Sequence, residues 1–320
     1  MNKENKSNNP ELTLSTRAAW LHYVGGHKQS DVAKILGVTS VKAHRMISKA
    51  VADGLVKVSI DGEAAECVAL ERKLAERFDL RICEVAPDLH EQGLPLRALG
   101  MAGASFLRRQ LELGDHKLIG IGHGRTLSAA FRQLPSLDAK QTRFVSLLGG
   151  LTRNFSANPH DVMHMIAEKT KAHAYVMPVP FFANTAEDRS VLVSQNGVSD
   201  VFALAENSTL KFVGVGTVGQ DTQLVLSGMI EPEEITEVTK QGGVGELLGH
   251  FFNAKGELLE TTLTARTLAV SVGQELNGEV VALVGGQEKI EPLLAVLKSG
   301  QLSGLLTDEQ TATAILARIT

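Results

Sequence analysis

The chain has 320 residues, 43% of them hydrophobic, with a net charge of −4 and two cysteines, enough apolar material for a core of ordinary size divided between a small and a larger domain. Cys67 and Cys83 stand in neither a CxxC nor a Cys/His ligand spacing, which excludes a disulfide scaffold and a zinc module and leaves free thiols in a reducing compartment. The polar start MNKENKSNNPE has no apolar segment and no run of 18 apolar residues follows, so a signal peptide and a spanning helix are excluded and a cytoplasmic protein with no membrane partner is expected.

Residues 1–11 read as a disordered tail. A first helix is expected over 14–25, with Leu14, Ala18, Leu21 and Val24 on one face and Gly25-Gly26 as its stop. The stretch from Gln29 to Val58 then reads as a helix-turn-helix. Val32, Ile35, Leu36 and Val38 supply inward faces around a turn at Gly37, where a residue without Cβ can take a positive φ. Thr39 is the expected N-cap of the second helix, and Val41, Met46, Ile47 and Val51 its expected buried stripe. Gln29, Ser30, Thr39, Ser40, Lys42, His44, Arg45 and Lys49 form a basic, hydrogen-bonding face of the kind that the major groove of double-stranded DNA accepts. Residues 1–60 hold nine Lys and Arg against four Asp and Glu. Their +5 in a chain of −4 leaves −9 on the rest, a basic head on an acidic body. A strand over Leu55–Ile60 and a turn at Asp61-Gly62 close the head and set the domain boundary.

An amphipathic helix over Glu63–Phe78 (Ala65, Val68, Ala69, Leu74 and Phe78 inward) opens the second domain. Short apolar runs then alternate with helical stretches: KLIGIG (117–122), RFVSLLGG (143–150), AYVMPVP (174–180), LKFVGVG (210–216), LAVSV (268–272), VVALVGG (280–286) and LSGLLT (302–307). Val/Ile/Leu-rich runs bounded by glycine predict a parallel sheet covered on both faces, hence an α/β body. The endings GIGHGRT, LLGG, GVGTVG and VGGQEK would converge beyond the carboxyl ends of the strands, where α/β sheets bind ligands. GVGTVG fits GxGxxG, but the acids Glu231, Glu233 and Glu234 follow in a new element and not in a second βαβ strand; GIGHGRT lacks the Lys-Ser/Thr ending of a P-loop. No nucleotide and no other cofactor is therefore expected.

Among reactive side chains, His123, Arg125, Thr126, Asp188, Arg189, Glu246 and Lys289 are candidates. Arg125 and Lys289 could hold a phosphate, and Thr126 would add a hydroxyl at a helix N-terminus. His160 and His164 are four apart and His173 follows, but no third ligand type is marked, so no metal is expected. No paired acid/base motif marks a catalytic residue.

The order of helix-turn-helix, GIGHGRT, LLGG, a VP-rich strand with EDR (187–189), VGVGTVG, GGVGELLGHFFNAKG (242–256), VALVGGQEK (281–289) and LLTDEQTATAIL (305–316) resembles the SorC/DeoR-type sugar-responsive bacterial transcriptional regulators from about Thr16 onward. The resemblance implies a DNA-binding head over 1–62 and, over 63–320, an effector and oligomerisation domain related to sugar-phosphate isomerases and deaminases. It implies a homotetramer that binds operator DNA and responds to a sugar, polyol or sugar phosphate. By matched position the effector loop falls on Gly122, His123, Gly124, Arg125 and Thr126, with Gly149, Gly150, Glu246 and Lys289 as further lining. Three departures stand out: Asn253 where relatives usually have Asp, Thr39-Ser40 where a Ser-Arg pair is frequent, and the His123-Gly124-Arg125 loop itself. The expectation is a repressor of a carbohydrate or polyol operon, of the kind that controls erythritol use. The competing reading is an isomerase- or deaminase-like enzyme on sugar phosphates, since fold alone does not carry chemistry.

Overall fold

The computed structural model describes residues 10–56, 65–151, 162–272 and 278–319. Residues 1–9 of the tail expected over 1–11, the Asp61-Gly62 turn, most of the Leu55–Ile60 strand, the first residues of the Glu63–Phe78 helix and His160 lie outside them, whereas residues 10 and 11 of that tail are helical. Two compact units emerge, Met1–Gly62 and Glu63–Thr320.

The head is three helices, α1 (Pro10–Tyr23), α2 (Gln29–Leu36) and α3 (Ser40–Ala52). α1 starts at Pro10, where a proline without an N–H costs the first turn nothing. Gly37 takes φ 65° between α2 and α3, and Thr39 Oγ1 accepts from the Lys42 backbone N–H at 3.2 Å, capping α3. The core is Ala18, Val32, Ala33, Ala43, Met46 and Ile47, with Leu21, Leu36 and Val38 packed at its edge. Several expected inward residues are not there: Leu14, Val24, Ile35, Val41 and Val51 are all exposed. In α3 the buried set is Ala43, Met46, Ile47 and Ala50, spaced i, i+3, i+4, i+7. Short helices at close range leave room for alanine where a larger domain would bury valine.

In the body, a seven-stranded sheet runs β1-β11-β10-β5-β2-β3-β4, every neighbouring pair parallel. Its strands are β1 (Ile82–Ala86), β2 (Leu118–Ile121), β3 (Arg143–Ser146), β4 (His173–Tyr175), β5 (Leu210–Val213), β10 (Glu279–Leu283) and β11 (Gly304–Asp308). A smaller antiparallel sheet is made of β6 (Gly216–Thr217), β7 (Gly243–Leu247), β8 (His250–Asn253) and β9 (Leu258–Leu259). The helices are α4 (Ala65–Phe78), α5 (Leu96–Leu113), α6 (Arg125–Gln133), α7 (Met163–Thr170), α8 (Ala186–Val193), α9 (Val198–Glu206), α10 (Gln223–Leu226), α11 (Glu234–Lys240), α12 (Thr262–Arg266), α13 (Ile290–Lys298) and α14 (Glu309–Ala317).

Both faces of the large sheet are buried, as the unbroken apolar runs require. Along β10, Val280 and Ala282 join one core while Val281 and Leu283 join the other; Phe212 and Val213 divide in the same way on β5. α4 turns Cys67, Leu70 and Leu74 inward, whereas the expected Val68 and Ala69 face solvent. Two runs read as strands behave otherwise. In AYVMPVP the ladder stops at Tyr175, and only a single bridge joins Pro180 to Leu151, because Pro178 and Pro180 have no N–H to donate. LAVSV is buried except at Ser271 but forms only an isolated bridge, Leu148 to Ala269; its backbone is spent on crossing contacts with Leu147, Gly149 and Phe181. No helix among the described residues is long and apolar enough to cross a membrane.

One strand carries a buried cation. Lys211 on β5 is fully buried, and its ammonium donates to the carbonyls of Glu206 (3.1 Å) and Ser208 (2.7 Å). Burial lowers its pKa to about 8. Between that value and the usual lysine range the unfolded chain holds a proton that the folded chain has lost, so stability rises with pH through this window and falls as pH drops through 8. Lys211→Met should therefore flatten the stability–pH curve between pH 8 and 10.5 relative to wild type. Parallel wild-type and variant curves in thermal denaturation would refute this.

Candidate effector cleft and nucleic-acid interface

The chain leaves β2 for β3 and β4 on one side, then returns to place β5 on the other side of β2 and continues to β10 and β11. The carboxyl ends of β2 and β5 therefore flank the point where the winding reverses, the position at which α/β sheets leave a crevice. A cleft of about 720 Å³, counted to its open mouth, lies there. Its wall is made by Gly122–Thr126 after β2, Gly214–Thr217 after β5, and Val284 and Lys289 after β10, with Glu246 from β7 beneath.

Gly124 precedes α6 at φ 129°, a conformation that admits glycine and few others. It leaves the first amides of α6 directed toward an incoming oxygen. Arg125 is already engaged: its Nη2 is 2.9 Å from Glu288 Oε1. Thr126 departs from expectation, because its hydroxyl donates to the Leu283 carbonyl at 2.8 Å. It ties α6 to β10 and is left to a ligand only as an acceptor. His123 packs edge-on against Phe181, with ring centroids 5.1 Å apart.

At the floor Glu246 and Lys289 are each only 8% exposed. Glu246 Oε1 accepts from the Gly249 amide at 2.5 Å. Burial pushes its carboxyl up, against the Gly249 hydrogen bond and the Lys289 charge, which pull it down. Burial likewise pushes Lys289 down, opposed by Glu288 and Glu246 and reinforced by Arg125. The Lys289 ammonium forms no hydrogen bond among the described residues, so its three donors are available to a guest. A buried carboxyl and a buried ammonium lining one cleft can serve hydroxyl groups as acceptor and donor, and such groups also act as acid and base in enzymes.

Glycine at 216 leaves room for the Glu246 carboxyl. A Cβ there would stand 2.0 Å from Glu246 Oε2. Gly216→Ala should push the carboxylate out of place and weaken effector affinity at least about tenfold, the scale of one misplaced charge-assisted hydrogen bond. Wild-type affinity by calorimetric titration would contradict that role.

Seven residues expected in the effector site, Gly122, His123, Gly124, Arg125, Thr126, Glu246 and Lys289, are brought together. Gly149 and Gly150 are not in the wall: Gly149 donates to Leu268 O and would press a Cβ against Pro180 O at 2.2 Å, so it serves close backbone packing. Asp188 sits on α8 by another groove, and Arg189 donates to the Thr267 carbonyl. His164 and His173 are exposed, and no metal-holding group of side chains occurs among the described residues. Thr217, Gln223 and Leu94 line the cleft without having been singled out. GVGTVG pointed toward Thr217, but nothing in the local pattern marked Gln223, whose side-chain amide has no partner among the described residues.

In the head, Lys42, His44, Arg45 and Lys49 all stand on the exposed side of α3, and Thr39 and Ser40 begin it. His44 Nδ1 and Gln29 Oε1 are 3.2 Å apart, fixing the start of α2 to α3; Ser30 is exposed beside Gln29.

The model of a sugar-binding domain family, Sugar-bind, matches residues 62–317. The erythritol catabolism regulatory protein EryD of Brucella abortus (strain 2308) is 62% identical over 306 residues, covering 96% of this chain and 97% of that one. The transcriptional regulator LsrR of Enterobacter sp. (strain 638) is 32% identical over 313 residues, covering 96% and 94%. Among solved structures, a DeoR family transcriptional regulator from Listeria monocytogenes superposes with a TM-score of 0.69 at 25% identity, over 78% of this chain and 99% of its own. The full-length sorbitol operon regulator SorC from Klebsiella pneumoniae superposes with a TM-score of 0.68 at 22% identity, over 96% and 99%, a likeness of fold. These relatives are named as regulators, none as an enzyme.

Proposed function

The chain belongs to the sugar-binding domain family of SorC/DeoR-type transcriptional regulators, and on that footing we propose that it represses a polyol catabolic operon, with erythritol or a closely related polyol as its effector. The head holds operator DNA through Gln29, Ser30, Thr39, Ser40, Lys42, His44, Arg45 and Lys49. The effector occupies the cleft at the β2/β5 reversal, against the Gly122–Thr126 loop, Glu246 and Lys289. Ligand binding there weakens the grip on the operator. The protein works in the cytoplasm as a homotetramer, because one short recognition helix covers little DNA and symmetric pairing of heads multiplies its affinity.

The floor of the cleft carries this reading. Glu246 and Lys289, both buried in the cleft wall, offer an acceptor and a set of donors, which matches a row of hydroxyls. Arg125, the cation best suited to a phosphate, is already paired with Glu288, so the site favours a neutral polyol over a phosphorylated one. The test is retention by the full chain of a duplex that it selects from a random-sequence pool, titrated with erythritol and with erythritol phosphate. Release by erythritol, with Arg125→Ala responding nearly as wild type, supports the neutral polyol. Release only by the phosphate, and its loss in Arg125→Ala, would overturn that part. No release by either compound would remove the polyol reading altogether.

A further inference from the structure

Val41 is the most exposed large apolar side chain among the described residues, at 80%. It sits in the first turn of α3, two residues after the capping Thr39. At 3.6 residues per turn it points roughly half a turn away from Ala43, Met46, Ile47 and Ala50, which are the residues α3 buries. Arg45 and Ser48 follow it at i+4 and i+7 along the centre of the exposed face, with Lys42 and Lys49 to one flank and His44 to the other.

Nothing in the head's own folding calls for valine here. The side chain buries little surface, and a β-branched residue is a poorer helix former than alanine. Its surroundings are donors and cations, which suit phosphates and base edges. The first turn of a recognition helix is the part that reaches base edges, and the apolar group those edges present in the major groove is the C5-methyl of thymine. We propose that Val41 is a specificity-determining residue that packs on a thymine methyl in each operator half-site while Arg45 bonds to a neighbouring base or phosphate. The inference rests on the head being a DNA reader and adds what it reads.

The test separates the two. Duplexes are selected by the wild-type full chain from a random-sequence pool, and in the winning sequence each dT is replaced singly by dU, which removes the methyl and leaves the pairing intact. Wild type should lose about fourfold in affinity at one position per half-site, the worth of one buried methyl. Val41→Ala should bind the dT duplex about as weakly as wild type binds that dU duplex, and should not discriminate dT from dU there. Arg45→Ala, as a comparator, should weaken binding to both duplexes alike. Wild-type indifference to every dU, or unchanged discrimination by Val41→Ala, would overturn the role of Val41 while leaving the head a DNA reader. Failure of wild type to select any sequence would overturn the DNA reading itself, and this inference with it.

Discussion

Lys289→Ala is expected to abolish the response of operator binding to the effector while leaving binding without effector near wild type. The ammonium lies on the floor of the cleft in the body, whereas the recognition face belongs to the head, a separate compact unit. An effector shifts the equilibrium between DNA-competent and incompetent forms only by its different affinity for the two. A ten- to hundredfold change in operator affinity corresponds to about 1.4–2.7 kcal/mol of coupling. All of it should vanish if Lys289 holds the ligand. Lys289 is the weaker of the two influences that pull the buried Glu246 carboxyl down, so its removal leaves that carboxyl closer to its protonated form. The paired variant Glu246→Gln/Lys289→Met removes both charges at similar volume. It should fold as well as wild type and be equally deaf to the effector. A full response from the paired variant, measured as operator affinity against effector concentration, would rule out the floor of the cleft as the binding site.

Arg45→Ala should lower operator affinity by roughly 1–3 kcal/mol, about five- to 150-fold, if the guanidinium bonds to a base edge. The loss should then fall on the cognate sequence and relax preference at one position. If Arg45 instead holds a phosphate, all sequences should weaken alike and the dependence of log affinity on log salt should shallow by about one. Arg45 is exposed on α3, so the variant should keep its fold, which circular dichroism checks. Unchanged affinity and unchanged salt slope together would remove Arg45 from the interface.

The two units differ in how much of them could be read from the chain. The parallel sheet was legible because both of its faces are apolar: runs such as VVAL and LKFV leave few other arrangements open to a chain of this length. The cleft followed from the same pattern, since glycines closing several strands must meet at the strand ends. The antiparallel sheet was not legible. GGVGELLGHFF mixes glycine and buried phenylalanine without alternation, because β7 and β8 are covered by the body rather than half-exposed. Glu246 and Lys289 are far apart in the chain, and only the family resemblance joined them before the structure did. In the head, Val41, Val51 and Ile35 misled because β-branched apolar residues at helical spacing imitate a core. The actual core relies on alanines, whose small size carries no periodic signal. Thr126 misled in another way: a hydroxyl in the first turn of α6 reads as ligand-facing until its carbonyl partner on a distant strand is seen.

Coupling between cleft and head is the centre of this account, and thermodynamic reciprocity tests it most directly. Whatever factor the effector takes from operator affinity, the operator must take from effector affinity. Calorimetric titration of the full chain with erythritol, alone and saturated with operator duplex, should show affinity about ten- to hundredfold weaker in the presence of DNA. Equal affinity in the two titrations would contradict the account, because a ligand that binds both forms alike shifts nothing.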